Sequence, residues 1–326
     1  MRAGVNPEKY KLEKNKKFYH RIIMPVYIPN VEEEYYQNMP LVLKIVLEQL
    51  FNTINPLITS VTLINNNSCQ TIEKVILSFL SKINKYVKYS ENKGKVNAVL
   101  TEARGAYEPF ITIVDADVIL IAGWENAVFS IFRQFPKAGV VAPLPCPGLA
   151  FNHNSSVFYE HYLFGKIKYD QILEKKDIQF YLEGLGNPAI LNRDNRPYHW
   201  YEKQYYLDNN GIKAIIGAGH FVATYRAQLF KKENNFPELK FKNGYENEFI
   251  DILADKYGYY RLSTITTYAY HLGNSLDDNV KELCKMEGSA LTFDLISPQK
   301  KLLKRALSPF IWRQFFFKVL KKVLKL

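Results

Sequence analysis

The sequence predicts an α/β fold, with a mostly parallel central sheet, helices on both faces and a C-terminal amphipathic helix. Three observations carry that expectation. Apolar runs of strand length alternate with helix-period segments between residues 22 and 114, the pattern of a sheet whose crossovers cover both faces. The turns that close two of those strands are polar, Asn65-Asn66-Asn67-Ser68 and Asp115-Ala116-Asp117. Residues 300–326 contain nine Lys and Arg and no Asp or Glu, on an apolar pattern of helical period.

Taken in order, residues 22–28 read as a buried strand and 40–54 as a helix with Pro40 near its first turn. A strand at 58–64, a helix at 71–83, a short strand at 86–89, a helix at 96–104 and a strand at 110–114 repeat the unit. Such sheets bind ligands beyond the carboxyl ends of their strands, so the turns at 65–68 and 115–117 are where chemistry is expected. After a strand at 139–142, Pro143, Pro145 and Pro147 open a Tyr-, Asn- and Gly-rich stretch reaching to about Gly211, read as an irregular substrate-binding wall or lid. Order returns near Gly217, with a helix expected at 246–257 and a strand at 264–270.

The 326 residues are 47% hydrophobic and 14% aromatic, enough to bury a large core, which excludes intrinsic disorder. Cys69, Cys146 and Cys284 are odd in number and widely spaced, so neither a disulfide framework nor a structural zinc site is expected. No run is long and apolar enough to span a membrane, and the polar start lacks a secretory pattern. A cytoplasmic location is the expectation. The net charge of +11 would suit a polyanionic partner, but nine of those charges lie at 300–326 and leave only +2 elsewhere. A smaller basic excess marks residues 1–21.

The strand at 110–114 ends in Asp115-Ala116-Asp117. Alternate side chains of an extended chain share a face, so both carboxylates can reach one cation. Hard divalent ions such as Mg2+ take oxygen ligands and keep positions for phosphate oxygens. The same residues also suit a strand-ending turn or helix cap, and both readings stand on these residues alone.

The order of the motifs narrows this. Pro25-Val26-Tyr27, the turn at 65–68, Asn92-Lys93-Gly94-Lys95 and Asp115-Ala116-Asp117 resemble in sequence and spacing the first half of family 2 glycosyltransferases. Gly217-Ala218-Gly219-His220-Phe221-Val222 with Tyr225-Arg226, and then Gly244-Tyr245-Glu246-Asn247-Glu248-Phe249, resemble segments of the second half. The resemblance spans roughly residues 20 to 275. It implies the GT-A fold, a nucleotide-sugar donor with UDP as the expected nucleotide, Mn2+ or Mg2+, and inversion by direct displacement. It assigns the metal to Asp117 and His271, with Asp115 as a further candidate. Donor contacts fall to Pro25, Tyr27, Asn65, Lys95, Asp115 and Asp117, and the general base to Glu246, with Glu248 second. Aromatic rings stack on sugar faces, which makes Trp124 and Trp200 acceptor candidates beside Gly219 and His220; loop packing would use the same aromatic residues.

Two departures from the family pattern bear on this. Where the family commonly has Asp-Asp or Asp-Asn, this chain has Asn65-Asn66, whose oxygen can accept a hydrogen bond from a uracil N–H without carrying charge. Aligning on Asn-Glu-Phe sets Glu246 at the family's catalytic Asp, whereas aligning on the leading Glu sets Asn247 there, an amide that takes no proton at neutral pH. Glu246 is also readable as an ordinary acid at a helix N-terminus, and His271 as a packed histidine. A catalytically silent glycan- or nucleotide-sugar-binding relative is one alternative. A sugar nucleotidyltransferase is another, although Tyr27-Ile28-Pro29-Asn30 lacks the Gly-rich phosphate loop it needs.

The expected division is a basic arm at 1–21, a nucleotide-sugar-binding subdomain at 22–145, an acceptor and catalytic-base subdomain at 146–275, a linker or helix at 276–297 and the tail at 298–326. In the tail, Ser308 would cap a helix with Pro309 at its first position. Trp312, Phe315, Phe316, Val319, Leu320, Val323 and Leu326 would form one face, opposite Lys318, Lys321, Lys322 and Lys325. That describes a helix lying on an anionic bilayer, placing the protein peripherally at the inner face of the plasma membrane beside a glycan or lipid-linked acceptor. Docking on the protein's own body or on a second subunit is the alternative. Nucleic acid is not expected as a partner, because it would leave the aromatic face in water.

Overall fold

A parallel core forms first along the chain: β1 (His20–Val26), α1 (Met39–Thr53), β2 (Thr59–Asn65), α2 (Gln70–Ser78), β3 (Lys85–Lys88), α3 (Lys95–Gly105) and β4 (Phe110–Val114). The computed structural model describes residues 4–10, 17–184, 199–242, 244–276 and 308–325, with Val280 and Leu283. Most of the expected linker at 276–297, the tail at 298–307 and residues 11–16 of the basic arm lie outside the described residues. β1 pairs in parallel with β2 on one side and with β4 on the other. All seven residues of β2 and all five of β4 are buried, as strands covered on both faces must be. The strand order reverses at β1, so a crevice opens between the carboxyl ends of β1 and β4, the switch point where open α/β sheets bind ligands.

The chain continues through β5 (Val118–Leu120), α4 (Trp124–Gln134), β6 (Ala138–Ala142), α5 (Ser155–His161), β7 (Ile167–Asp170), α6 (Lys175–Gly184), β8 (Gln204–Asn209), β9 (Ile212–Ile216) and β10 (Val222–Arg226). A π-turn at Asn247–Asp251 leads into α7 (Ile252–Lys256), followed by β11 (Tyr260–Ser263), β12 (Ala269–His271) and α8 (Phe310–Val323). One ten-stranded sheet runs β3-β2-β1-β4-β10-β6-β11-β9-β8-β7, and β12 pairs separately with β5. Reading directions from the pairings, β10, β9 and β7 oppose the other seven strands. The sheet is therefore mixed, mostly parallel in strand direction, with an antiparallel meander at the β7 edge.

Four expectations need correction. The stretch from Pro143 to Gly211 is not irregular throughout, since it contains α5, β7, α6 and β8. The β8 to β9 hairpin turns on Asn210-Gly211, both with positive φ (52° and 84°), and Asn-Gly between apolar runs is a strong hairpin signal. The strand expected at 264–270 is two strands, β11 and β12, because the chain leaves the sheet after Ser263 and re-pairs with β5 only at Ala269. The helix expected at 71–83 ends at Ser78 and continues as a 3-10 turn, Leu80–Lys82. Finally, Pro309 rather than Ser308 occupies the N-cap of α8, and the Ser308 hydroxyl makes no cap hydrogen bond.

Gly94 brings the two halves of the chain together. Its backbone has φ 79° and ψ 148°, a region that favours glycine, and a Cβ there would sit 1.9 Å from the Lys240 carbonyl oxygen. This approach seats the start of α3 against the loop that leads to Glu246. Gly94→Ala should therefore strain the backbone and push that loop away, costing about 1–3 kcal/mol; urea unfolding of the variant against wild type measures it.

Candidate active site

Three segments distant in sequence meet at the carboxyl end of β4. Asp115 follows that strand directly, and its N–H donates to the Phe221 carbonyl (2.8 Å) just before β10. The pairing of β12 with β5 sets His271 opposite Val118, and the Leu272 N–H donates to the Asp117 carbonyl (2.7 Å). His271 Nε2 consequently lies 3.3 Å from Asp117 Oδ2. Lys95, the first residue of α3, places its Nζ 2.6 Å and 2.7 Å from the two oxygens of Asp115 and 3.5 Å from Glu246 Oε1. A cation at a helix N-terminus opposes the helix dipole, and these two carboxylates offset that cost.

The electrostatics follow from this packing. Burial pulls the Lys95 ammonium down, but Asp115 first, and then Glu246 and Asp117, more than reverse it, so its pKa lies above the ordinary lysine value. Burial raises the pKa of the Asp115 carboxyl and Asp117 adds to the rise, against the opposing pull of Lys95. Asp115 is thus a carboxylate whose charge depends on its lysine.

A second cluster borders the first, and of its members the sequence singled out His220 but neither Asp251 nor Arg261. Asp251, buried at the end of the π-turn, pairs with Arg261 (Nη2 to Oδ1, 3.0 Å) and with His220 (Nδ1 to Oδ2, 3.0 Å). Arg261 is fully buried and also donates to the Asp251 and Ala218 carbonyls. Burial alone would raise the Asp251 pKa, but Arg261 and then His220 bring it below the usual carboxylate value. The hydrogen bond to Asp251 raises the His220 pKa, against some desolvation. His220 itself is nearly half exposed, and the charges of Lys95 and Glu246 act on it. On an ordinary helix, at about 100° per residue, Asp251 would point roughly 140° away from Glu246; the i→i+5 bonding of the π-turn changes that phase, and such turns recur at functional sites.

The other expected site residues are placed as follows. Glu248 points outward and pairs with Lys242 (2.9 Å), whereas Glu246 turns towards Lys95. The Asn247 oxygen accepts from Asn152 Nδ2 (3.2 Å) and lies 2.9 Å from His153 Nε2, so the amide serves the loop at 152–153. Asn65 is fully buried and closes its own turn, accepting from the Ser68 N–H (2.8 Å) and donating to the Tyr86 hydroxyl (3.2 Å). Pro25 lies in β1 beside Ile64, and Tyr27 is exposed just beyond it. Trp124 and Trp200 correct the acceptor expectation: they are 0% and 3% exposed, Trp124 against His20 and Trp200 against Tyr181, so neither ring is open to a sugar. Gly219 packs against Phe221 and Cys146. Burial pushes the Cys146 thiol up to about 12, which makes it inert as a nucleophile.

No group of three or more metal-ligating side chains occurs among the described residues. Asp117 and His271 nonetheless supply a carboxylate oxygen and an imidazole nitrogen converging within 3.3 Å, a donor pair that fits Mn2+ or Mg2+ if phosphate oxygens and water fill the other positions. These two residues would hold the ion, with Asp115 next to them but engaged by Lys95.

The Asp251, Arg261 and His220 cluster makes two measurable demands. Asp251→Asn leaves the buried Arg261 guanidinium uncompensated and should cost about 3–5 kcal/mol in urea unfolding, much of it regained in Asp251→Asn combined with Arg261→Met. The raised His220 pKa means its contribution is full below the ordinary imidazole value and lost as pH rises through the raised one. The lowered Asp251 pKa means its contribution is present above the ordinary carboxylate value and lost as pH falls through the lowered one. Between about pH 6 and 8 wild type should therefore lose stability with rising pH more steeply than His220→Asn does, measured as the urea midpoint across that range.

Comparison with known proteins bears directly on this arrangement. Residues 22–183 match Glycosyl transferase family 2, a stretch that contains Lys95, Asp115 and Asp117, while Glu246 and His271 lie beyond it. No curated protein matches the chain significantly. Among solved structures, S. aureus TarS 1-349 in complex with UDP-GlcNAc is 15% identical with a TM-score of 0.32, over 38% of this chain and 34% of that one. S. aureus TarS 1-349 in complex with UDP gives 15% and 0.45, over 83% and 65%. The mannosyltransferase PcManGT from Pyrobaculum calidifontis, in complex with GDP-Man and Mn2+, gives 14% and 0.43, over 77% and 55%. The matches with the first three TarS structures cover 21% to 35% of those chains. This chain thus carries a glycosyl transferase family 2 domain over residues 22–183.

Proposed function

We propose that this protein is a metal-dependent, inverting glycosyltransferase. It moves a sugar from a nucleotide donor, UDP-linked first, to a hydroxyl of a lipid-linked or cell-surface glycan precursor at the cytoplasmic face of the plasma membrane. One observation carries the reading: a single ammonium, Lys95, bridges Glu246 to Asp115, two residues from Asp117 and its neighbour His271. Glu246 and His271, from the second half of the chain, thus meet Lys95, Asp115 and Asp117 from the first.

The chemistry assigned to each group follows from its position. Glu246 accepts the proton of the acceptor hydroxyl as that oxygen attacks the anomeric carbon, and the bond from that carbon to the diphosphate oxygen breaks on the opposite side, inverting the centre. Asp117 and His271 would hold Mn2+ or Mg2+, which when bound offsets the charge growing on the departing diphosphate. Lys95 keeps a second positive charge beside Asp115, in a site largely withdrawn from water where such charges act strongly. His220, its Nδ1 tied to Asp251, can offer its other nitrogen to a sugar hydroxyl. The silent-relative reading gains nothing from Asn247, whose amide is turned to Asn152 and His153.

Glu246→Gln should lower kcat about 10²- to 10⁴-fold while leaving Mn2+-dependent stabilisation by nucleotide intact. Asp117→Asn should abolish that Mn2+-dependent part of the stabilisation. Transfer or hydrolysis assays with UDP- and GDP-sugars, run beside thermal unfolding, read both. Metal-dependent nucleotide binding with no turnover of any donor would favour the silent relative.

A further inference from the structure

The expected membrane face of the tail is divided in the folded protein. α8 is clamped to the body along one side. Arg313 is 1% exposed and donates to the Ser308, Asp255 (2.7 Å) and Lys256 (3.1 Å) carbonyls. Gln314 donates to Asp255 Oδ2 (3.0 Å) and Ser155 Oγ (2.9 Å). Phe317 stacks with Phe151 and packs on Phe158, Leu320 is buried, and Phe316 meets the ring of Tyr159. Phe316 and Leu320, both assigned by sequence pattern to a lipid-facing surface, thus serve the protein core.

The opposite side of α8 is uncovered and is not polar. Ile311, Trp312, Phe315, Val319 and Val323 are 79%, 64%, 63%, 45% and 71% exposed. Trp312, Phe315, Val319 and Val323 follow the i, i+3, i+7, i+11 spacing of one helical stripe. Lys318, Lys322 and Lys325 are exposed along one flank of it, and no Asp or Glu occurs between residues 308 and 325. An ordinary solvated helix would carry charge where this one carries Trp and Phe.

We infer that this outer stripe, Trp312, Phe315, Val319 and Val323 with the flanking lysines, is the surface by which the folded protein rests on an anionic lipid bilayer. The assignment rests on the membrane reading of the tail, not on the catalytic one. An aromatic and aliphatic stripe bordered by lysine, with no acidic residue to repel phosphate headgroups, matches an anionic interface. A protein partner binding the same stripe would have to be acidic as well as apolar. Because Arg313 and Gln314 fix the rotation of α8, the bilayer would meet the enzyme in one orientation rather than through a loose tether. Deleting the helix would be a poor test, since Phe317 and Leu320 are part of the core.

Trp312 supplies the probe. The chain has three tryptophans, and Trp124 and Trp200 are buried, so a lipid-induced change in emission reports Trp312. The full chain is titrated with vesicles of phosphatidylcholine and with equimolar phosphatidylcholine and phosphatidylglycerol. Expected are a blue shift and quenching by brominated lipid on the anionic vesicles only. A combined Trp312→Ser, Phe315→Ser, Val319→Ser variant, followed by sedimentation with the vesicles, should bind them roughly tenfold or more weakly, and Lys318→Glu with Lys322→Glu should do the same. Unchanged thermal unfolding in both variants shows that the fold persists. If wild type binds the anionic vesicles and the stripe variant binds them equally well, the face is wrong while the membrane reading stands. If wild type does not bind them, both fail. If the stripe variant instead converts a dimer to a monomer in light scattering with vesicle binding unaltered, the stripe is a contact between copies and the assignment is overturned.

Discussion

β10 is the strand on which the rest of the molecule depends. It enters antiparallel between β4 and β6 and so joins the second half of the chain to the parallel core. Its register is strongly specified. Thr224 shares a 2.6 Å hydroxyl contact with Thr112, which in turn meets the buried His20 (2.6 Å), and His20 reaches Glu125 on α4 (3.0 Å). At the far end, buried Arg226 donates to the Ala138 and Pro136 carbonyls. A slip of one residue would turn both side chains to the other face, leaving buried polar groups without partners, a cost of about 1–3 kcal/mol each. With the register held, Phe221 sits against Asp115, and His220 reaches Asp251.

The charge arrangement around this strand bears on the divalent ion and the diphosphate proposed for the site. Four carboxylates gather there, Asp115, Asp117, Glu246 and Asp251, against two permanent cations, Lys95 and Arg261. Arg261 serves Asp251 from a fully buried position, and Lys95 serves Asp115 at closer range than Glu246. That leaves Asp117, with His271 as its neighbour, as the carboxylate least compensated by a permanent cation. A cation arriving with phosphate oxygens would meet its need without displacing either internal pair.

Much of this was readable from the residues. The βα series appeared within a few residues of its true bounds, because continuous apolar runs and helix-period segments are local signals. Asp115, Asp117, Glu246, His271 and Lys95 were all singled out, and the structure brings them together at one end of the sheet. What escaped the sequence depended on packing. Arg261 is a fully buried cation inside β11, and the strand expected from the sequence began only beyond it, at 264. Asp251 joins the site through a π-turn that no side-chain period announces. Trp124, just after the acidic turn, and Trp200, in a Tyr-rich stretch, looked like sugar platforms because aromatic residues read alike in sequence whether buried or open. Asn210-Gly211, by contrast, was a local signal, and reading it would have recovered the β8 to β9 hairpin.

The tail shows how far a count of charge can carry an argument. Nine of the net +11 charges lie at 300–326, which moves the basic character away from the catalytic body, but the count treats Arg313 and Lys318 alike. Arg313 is a structural residue, its guanidinium spent on backbone carbonyls of the body, while Lys318 is in solvent. The apolar pattern has the same ambiguity, because the predicted face, from Trp312 round to Leu320, is wider than one contact needs. Periodicity gives the centre of an apolar face and says nothing about how many surfaces share it. In α8 two share it, with Phe316 and Leu320 turned to the core beside Phe317, and Trp312, Phe315, Val319 and Val323 left outward. Docking on the body and lying on a membrane, alternatives at the level of sequence, are therefore compatible on one helix, because the clamp that serves the first fixes which residues are left for the second.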